Sequence, residues 1–169
     1  LGRPYDTHCL ERLEILFAKL RHYPVADIRE SSTTNEHYKN KSFFDAYFSN
    51  YIEGTTFEIE EAEEIIFSHK IPMRRPMDAH DILGTFNIIS DRVEMKKTPA
   101  SFEDLEKLLK VRHGMMMARR PEILPGQFNE EPNRAGATHF VAPEYVQGTL
   151  EQGFNFYKDL PQGFARACY

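Results

Sequence analysis

Cysteine is scarce in this chain of 169 residues: only Cys9 and Cys168 occur, far apart and outside any Cys-x-x-Cys or Cys/His ligand spacing. That scarcity argues against a disulfide framework and against a zinc site, and it fits a reducing, cytoplasmic setting. Positive charge is also in deficit, with 21 Lys and Arg against 26 Asp and Glu and a formal net charge of -5. Without a broad basic field, neither nucleic acid nor an anionic membrane is expected as a partner. Long apolar runs are absent too. Nothing approaches the roughly 20 residues needed to span a bilayer, and no signal-like segment opens the chain, so a soluble protein is expected. Internal repeats and long low-complexity stretches are likewise missing.

What is present is a 41% apolar composition, enough for one core with a helical extension but not for two large domains. Both ends read as cut: Leu1 stands where Met is expected, and Gly163 to Tyr169 is apolar with no cap or breaker behind it. Residues 6–22 place Leu10, Leu13, Leu16, Phe17 and Leu20 at three- and four-residue spacing, an amphipathic helix ended by Pro24. Ser31 to Asn40 lacks an apolar period and reads as a linker or mobile loop. The reading therefore divides the chain into an extension with linker, residues 1–41, and a helical domain, residues 42–169. Ser42 to Asn50 returns to helical spacing and closes at Glu53-Gly54, where Gly suits a left-handed cap.

Thr56 is expected to cap a helix through Ser68, with Ile59, Ala62, Ile65 and Ile66 inward and its glutamates solvated. After the break at Pro72 to Pro76, Asp78 is expected to cap a helix through about Arg92, with Ile82, Phe86 and Ile89 on one side. Ser101 and Asp104 form a variant capping box for a helix carrying Leu105, Leu108, Leu109 and Val111. Between Pro121 and Pro143 breakers dominate, and Thr138 to Val141 reads as part of a small hairpin. Glu144 to Tyr157 is helical again, and Pro161 separates it from a final helical stub. The fold class is mainly α with one small β-hairpin.

Glu53 stands at a helix C-terminus, where the macrodipole disfavours a carboxylate by roughly 0.3–1 kcal/mol. Helix stability gives no reason for it. The run Ser49-Asn-Tyr-Ile-Glu53-Gly54 resembles the inhibitory motif of the Fic family of adenylyl (AMP) transferases, a Ser or Thr, three residues, Glu, then Gly or Asn. Pro121 to Gly126 followed by Asn133 to Pro143 resembles that family's loop and flap hairpin, and Pro161 to Tyr169 resembles the start of the helix leading to its core motif. The core motif itself, His-Pro-Phe, one residue, an acidic residue and Gly-Asn-Gly-Arg, does not occur in these residues. The resemblance covers roughly Ser42 to Tyr169 and implies a Fic-like helical bundle cut short on its C-terminal side.

It further implies an enzyme that transfers AMP from ATP, with Mg²⁺, to a Ser, Thr or Tyr hydroxyl of a target protein. In the family the motif His is the general base, an acidic residue holds Mg²⁺ and a Gly-rich helix N-terminus cradles phosphate; no catalytic and no metal residue of that set falls in this chain. By the resemblance Glu53 offers a carboxylate to the arginine that would otherwise bind the γ-phosphate, Ser49 fixes the inhibitory helix and Gly54 turns the chain away. Ala137, Thr138, His139 and Phe140 match flap positions onto which a target segment adds as a strand and which border the nucleotide base. Homo-oligomerisation stays open. So do a non-catalytic interaction module, transfer of another group, and removal of AMP on the same scaffold.

Blander readings apply elsewhere. His139 is assigned docking and not acid–base work. Met115 to Met117 reads as core filler ahead of a peptide groove. Asp78-Ala-His80-Asp81 reads as a capped helix start ahead of a metal site. Arg74-Arg75 and Arg119-Arg120 read as solvated surface.

Overall fold

The computed structural model describes residues 2–24 and 34–169. Among them are eight α-helices, one 3-10 turn and one two-stranded hairpin, so the fold is mainly α. No helix among the described residues is long and apolar enough to cross a membrane. The chain divides into two compact units: Leu1–Ile28 with Pro99–Leu105 and Phe128–Tyr169, and Arg29–Thr98 with Glu106–Gln127. These units cut across the division at residue 41 read from the sequence.

The second unit is built on α2 (Asn35–Ile52), α3 (Ile59–Ser68), α4 (Pro76–Ser90) and α5 (Arg92–Met95), with most of α6 (Phe102–Met116). Its core joins Phe43, Ala46 and Tyr47 of α2, Ala62, Ile65 and Ile66 of α3, and Ala79, Ile82 and Phe86 of α4, with Phe57 from the connector. Ile65 and Ile82 are fully enclosed. The inward set expected for α3 holds except at Ile59, which is 42% exposed in the first turn. Of the expected apolar face of α6, Leu109 and Val111 are exposed. Met115 is 45% exposed and so is not core filler.

Four expected boundaries are corrected. Helix α2 starts at Asn35, inside the segment read as a linker, because Thr34 accepts a hydrogen bond from the His37 N–H and Tyr38 reaches across to donate to the Ile89 carbonyl at 2.8 Å. Tertiary anchoring supplies what the local apolar period lacks. The rest of that segment, residues 31–33, lies outside the described residues. Thr56 does not cap α3; the N-cap is Glu58, without a side-chain hydrogen bond. Asp78 does not cap α4 either, since Pro76 occupies the first helical position and Asp78 falls in the first turn. That helix stops at Ser90, and Asp91 caps α5 instead, accepting from the Val93 and Glu94 N–H groups. The Ser101 box holds on one side, with Asp104 N–H donating to Ser101 Oγ at 3.2 Å.

The first unit pairs α1 (Thr7–Leu20) with α7 (Pro143–Asp159), and α8 (Phe164–Cys168) completes it. Asp6 caps α1 by accepting from the Cys9 N–H. The expected apolar stripe of α1 supplies Leu16, Phe17 and Leu20 to a cluster with Leu160, Ala165 and Tyr169. The segment before α1 lies on α7: Asp6 N–H donates to Thr149 Oγ1 at 2.9 Å, and Arg3 pairs with Glu151 at 3.2 Å. The hairpin joins β1 (Arg134–Ala135) to β2 (Thr138–His139), antiparallel, with Arg134 opposite His139 and Ala135 opposite Thr138. Gly136, at φ +58°, supplies the positive φ that a two-residue hairpin loop needs at its first central position.

Candidate functional site

The end of α2 is held by its own turn. Gly54 adopts φ +94°, its N–H donates to the Tyr51 carbonyl at 3.1 Å, and the Thr55 N–H donates to the Asn50 carbonyl at 3.0 Å. Gly54 thus closes the helix as its sequence position predicts. Beneath the turn Tyr47 donates its hydroxyl to the Phe57 carbonyl at 2.9 Å, and the Asn50 amide donates to the Ala46 carbonyl at 2.9 Å. Both side chains are buried. The backbone around residue 53 is therefore fixed from below, while the outer face stays open.

On that outer face stand Ser49 and Glu53, both exposed. Neither side chain makes a hydrogen bond or ion pair among the described residues. Around them Phe44, Phe48, Tyr51 and Ile52 form an exposed apolar stripe at helical spacing, with Ile52 83% exposed. Burying such a stripe stabilises a helix, so a run of four left in water marks a surface suited to being covered.

The hairpin presents its groups in the first unit. Ala137, Thr138, His139 and Phe140 are all exposed, Phe140 by 57%, and the Phe140 N–H extends the ladder by donating to the Asn133 carbonyl at 3.1 Å. A two-stranded ribbon has an outer edge on each strand, and such edges accept an extended segment through main-chain pairing. Ser49, Glu53 and Gly54 belong to one compact unit and the hairpin residues to the other.

Sequence reasoning missed an ionic cluster on α4. Arg75 Nε lies 2.9 Å from Asp78, Arg120 Nη2 lies 2.9 Å from the other oxygen of Asp78, and Arg120 Nε lies 2.7 Å from Asp81. Arg75 and Arg120 are thus not the solvated pairs expected. The hydrogen bond to Asp81, with a smaller contribution from Asp78, pushes the Arg120 guanidinium further above its already high value. Both Asp78 oxygens are thus engaged by arginine, whereas Asp81 is engaged through Oδ2 alone. Among the described residues no group of three or more His, Cys, Asp or Glu side chains is placed to hold a metal ion. The adjacent Arg-Arg and Asp-x-x-Asp runs were the available signal, but their pairing spans 39 to 42 residues of sequence.

No protein-family model matches the chain, and no curated protein and no solved structure matches it.

Proposed function

We propose that this chain is the regulatory and target-docking part of a Fic-type adenylyltransferase, which moves AMP from ATP to a protein hydroxyl and is held down by Glu53. The observation that carries the reading is the state of Glu53: an exposed carboxylate without a partner, on a rigidly closed helix end, framed by exposed Phe48, Tyr51 and Ile52. Nothing in local stability accounts for that placement, because the helix C-terminus repels negative charge. An arginine fork brought to this face would find a charge-assisted and bidentate acceptor, and an arginine so occupied is lost to the terminal phosphate of a nucleotide.

The hairpin contributes alignment. A target strand paired to its edge presents a hydroxyl at a fixed height, and backbone pairing accepts many sequences. ATP, with Mg²⁺, would supply the activated adenylyl group: the target oxygen bonds to the α-phosphorus, the bond to pyrophosphate breaks, and the hydroxyl proton passes to a base outside these residues. Ala137 to Phe140 would border the nucleotide base, and no residue here would hold the metal.

Replacing Glu53 by Gly in the intact protein tests the reading. Removal of one charge-assisted contact should raise auto-modification by labelled ATP about tenfold or more. Labelling equal to that of the unaltered protein would overturn the assignment.

A further inference from the structure

We propose that Asp78 is a positioning residue that ties the segment leaving Glu53 to the turn after α6, so that the two segments are set together. The inference rests on the reading of Glu53 given above and adds a means of regulating it.

Asp78 divides its two oxygens between two arginines, each of which also holds backbone or a second acid. Arg75 gives Nε to Asp78 at 2.9 Å and donates another N–H to the Thr56 carbonyl, while its guanidinium lies 4.2 Å from the centre of the Phe57 ring. Thr56 and Phe57 belong to the short connector that follows Glu53 and Gly54. Arg120 gives Nη2 to Asp78 and Nε to Asp81. Its own backbone sits in the turn after α6: the Arg120 N–H donates to the Met117 carbonyl at 2.9 Å, and the Arg120 carbonyl accepts from the Ile123 N–H at 3.2 Å. Side chains alone thus run from residue 56 through residues 75, 78 and 120 to the turn at 117–123.

The arrangement is suited to transmission. Both arginines use planar forks with fixed donor directions, so a displaced partner is felt as a lost bond and not absorbed by rotation. Asp81 raises the stakes at the far end, because its Oδ1 is buried without a partner and the charge depends on Arg120. A pull on the turn at 117–123 would shift Asp78, then Arg75, then the carbonyl that fixes the exit from the Glu53 turn.

Amide hydrogen exchange in the intact protein, read beside auto-modification, decides the matter. The reporters are the Gly54 and Thr55 amides at one end and the Arg120 and Ile123 amides at the other. Asp78→Asn should speed exchange at both ends about tenfold, the effect of losing charge-assisted bonds, and should raise labelling toward that of Glu53→Gly. Acceleration at neither end or only at Arg120 and Ile123 would overturn the proposal, as would loosened amides with unaltered labelling while Glu53→Gly labels strongly. Should Glu53→Gly fail to label, the reading of Glu53 falls and exchange alone decides the tie. Arg75→Lys guards against a folding defect, since it keeps the charge on a half-exposed side chain but removes the fork. It should loosen Gly54 and Thr55 and leave Arg120 and Ile123 unchanged; unchanged rates at Gly54 and Thr55 would again overturn the tie.

Discussion

A Cβ built on Gly148 would lie 2.0 Å from the Pro4 carbonyl oxygen and 3.1 Å from that of Arg3, so this position in α7 is a notch that receives backbone. Gly148→Ala should destabilise the protein by about 1–3 kcal/mol, the usual penalty of overpacking, seen as a lower urea midpoint. A pattern reading treats glycine inside a helix only as a weak point, which is why the notch was invisible in sequence. Glu94 illustrates the same limit with charge. Its side chain is nearly buried, and hydrogen bonds from Lys97 first and Arg112 second hold its carboxyl below the usual carboxylate range. With the folded value depressed, its stabilisation is complete above the unfolded value of about 4.3 and is lost as pH falls through the folded one. Denaturation midpoints of Glu94→Gln and the unaltered protein should therefore differ most at neutral pH and converge in acid. Asp78 was placed correctly at a helix start, where the dipole favours it, but it ion-pairs instead of capping, a role hidden from the sequence because its partner Arg120 is 42 positions away.

An apolar period was read correctly where burial and spacing agree, as in α3, and not in α6, where Leu109 and Val111 are exposed. In α3, Ala62, Ile65 and Ile66 face the core as their spacing requires. Ile65→Ala should lower stability by about 2–5 kcal/mol, given full enclosure of the side chain, measurable by thermal or urea unfolding. Helix α2 is the instructive miss. Its first turns carry no apolar period, and they are helical because Thr34 caps them and Tyr38 is anchored on Ile89. The hairpin was legible from its breakers and strand formers, and its function makes a separable prediction. If main-chain pairing aligns the target, Thr138→Ala should change target labelling by no more than about twofold, as for an ordinary surface substitution. Gly136→Val, which forces a β-branched residue to positive φ, costs about 1–2 kcal/mol in the turn and should depress target labelling about tenfold. Labelling assays on the intact protein with each variant check both outcomes.

Across the whole molecule, each compact unit is assembled from segments distant in sequence, with Leu1–Ile28 grouped with Phe128–Tyr169 and α6 passing from one unit into the other. Linear reading yields a front extension followed by a domain, because it follows chain order and cannot see which ends meet. The candidate residues stand out in the sequence as two short runs, and in the structure Ser49, Glu53 and Gly54 of the first and Ala137 to Phe140 of the second are exposed, while Asn50 is buried beneath the turn. One consequence concerns the opening residues, which look dispensable on paper. Arg3 and Pro4 fill the Gly148 notch, and Asp6 both binds Thr149 and caps α1. Trimming the chain back past Asp6 would hence act less like removing a tail than like pulling a wedge from a joint: α7 would be left with an open slot, and α1 would lose its first fastening.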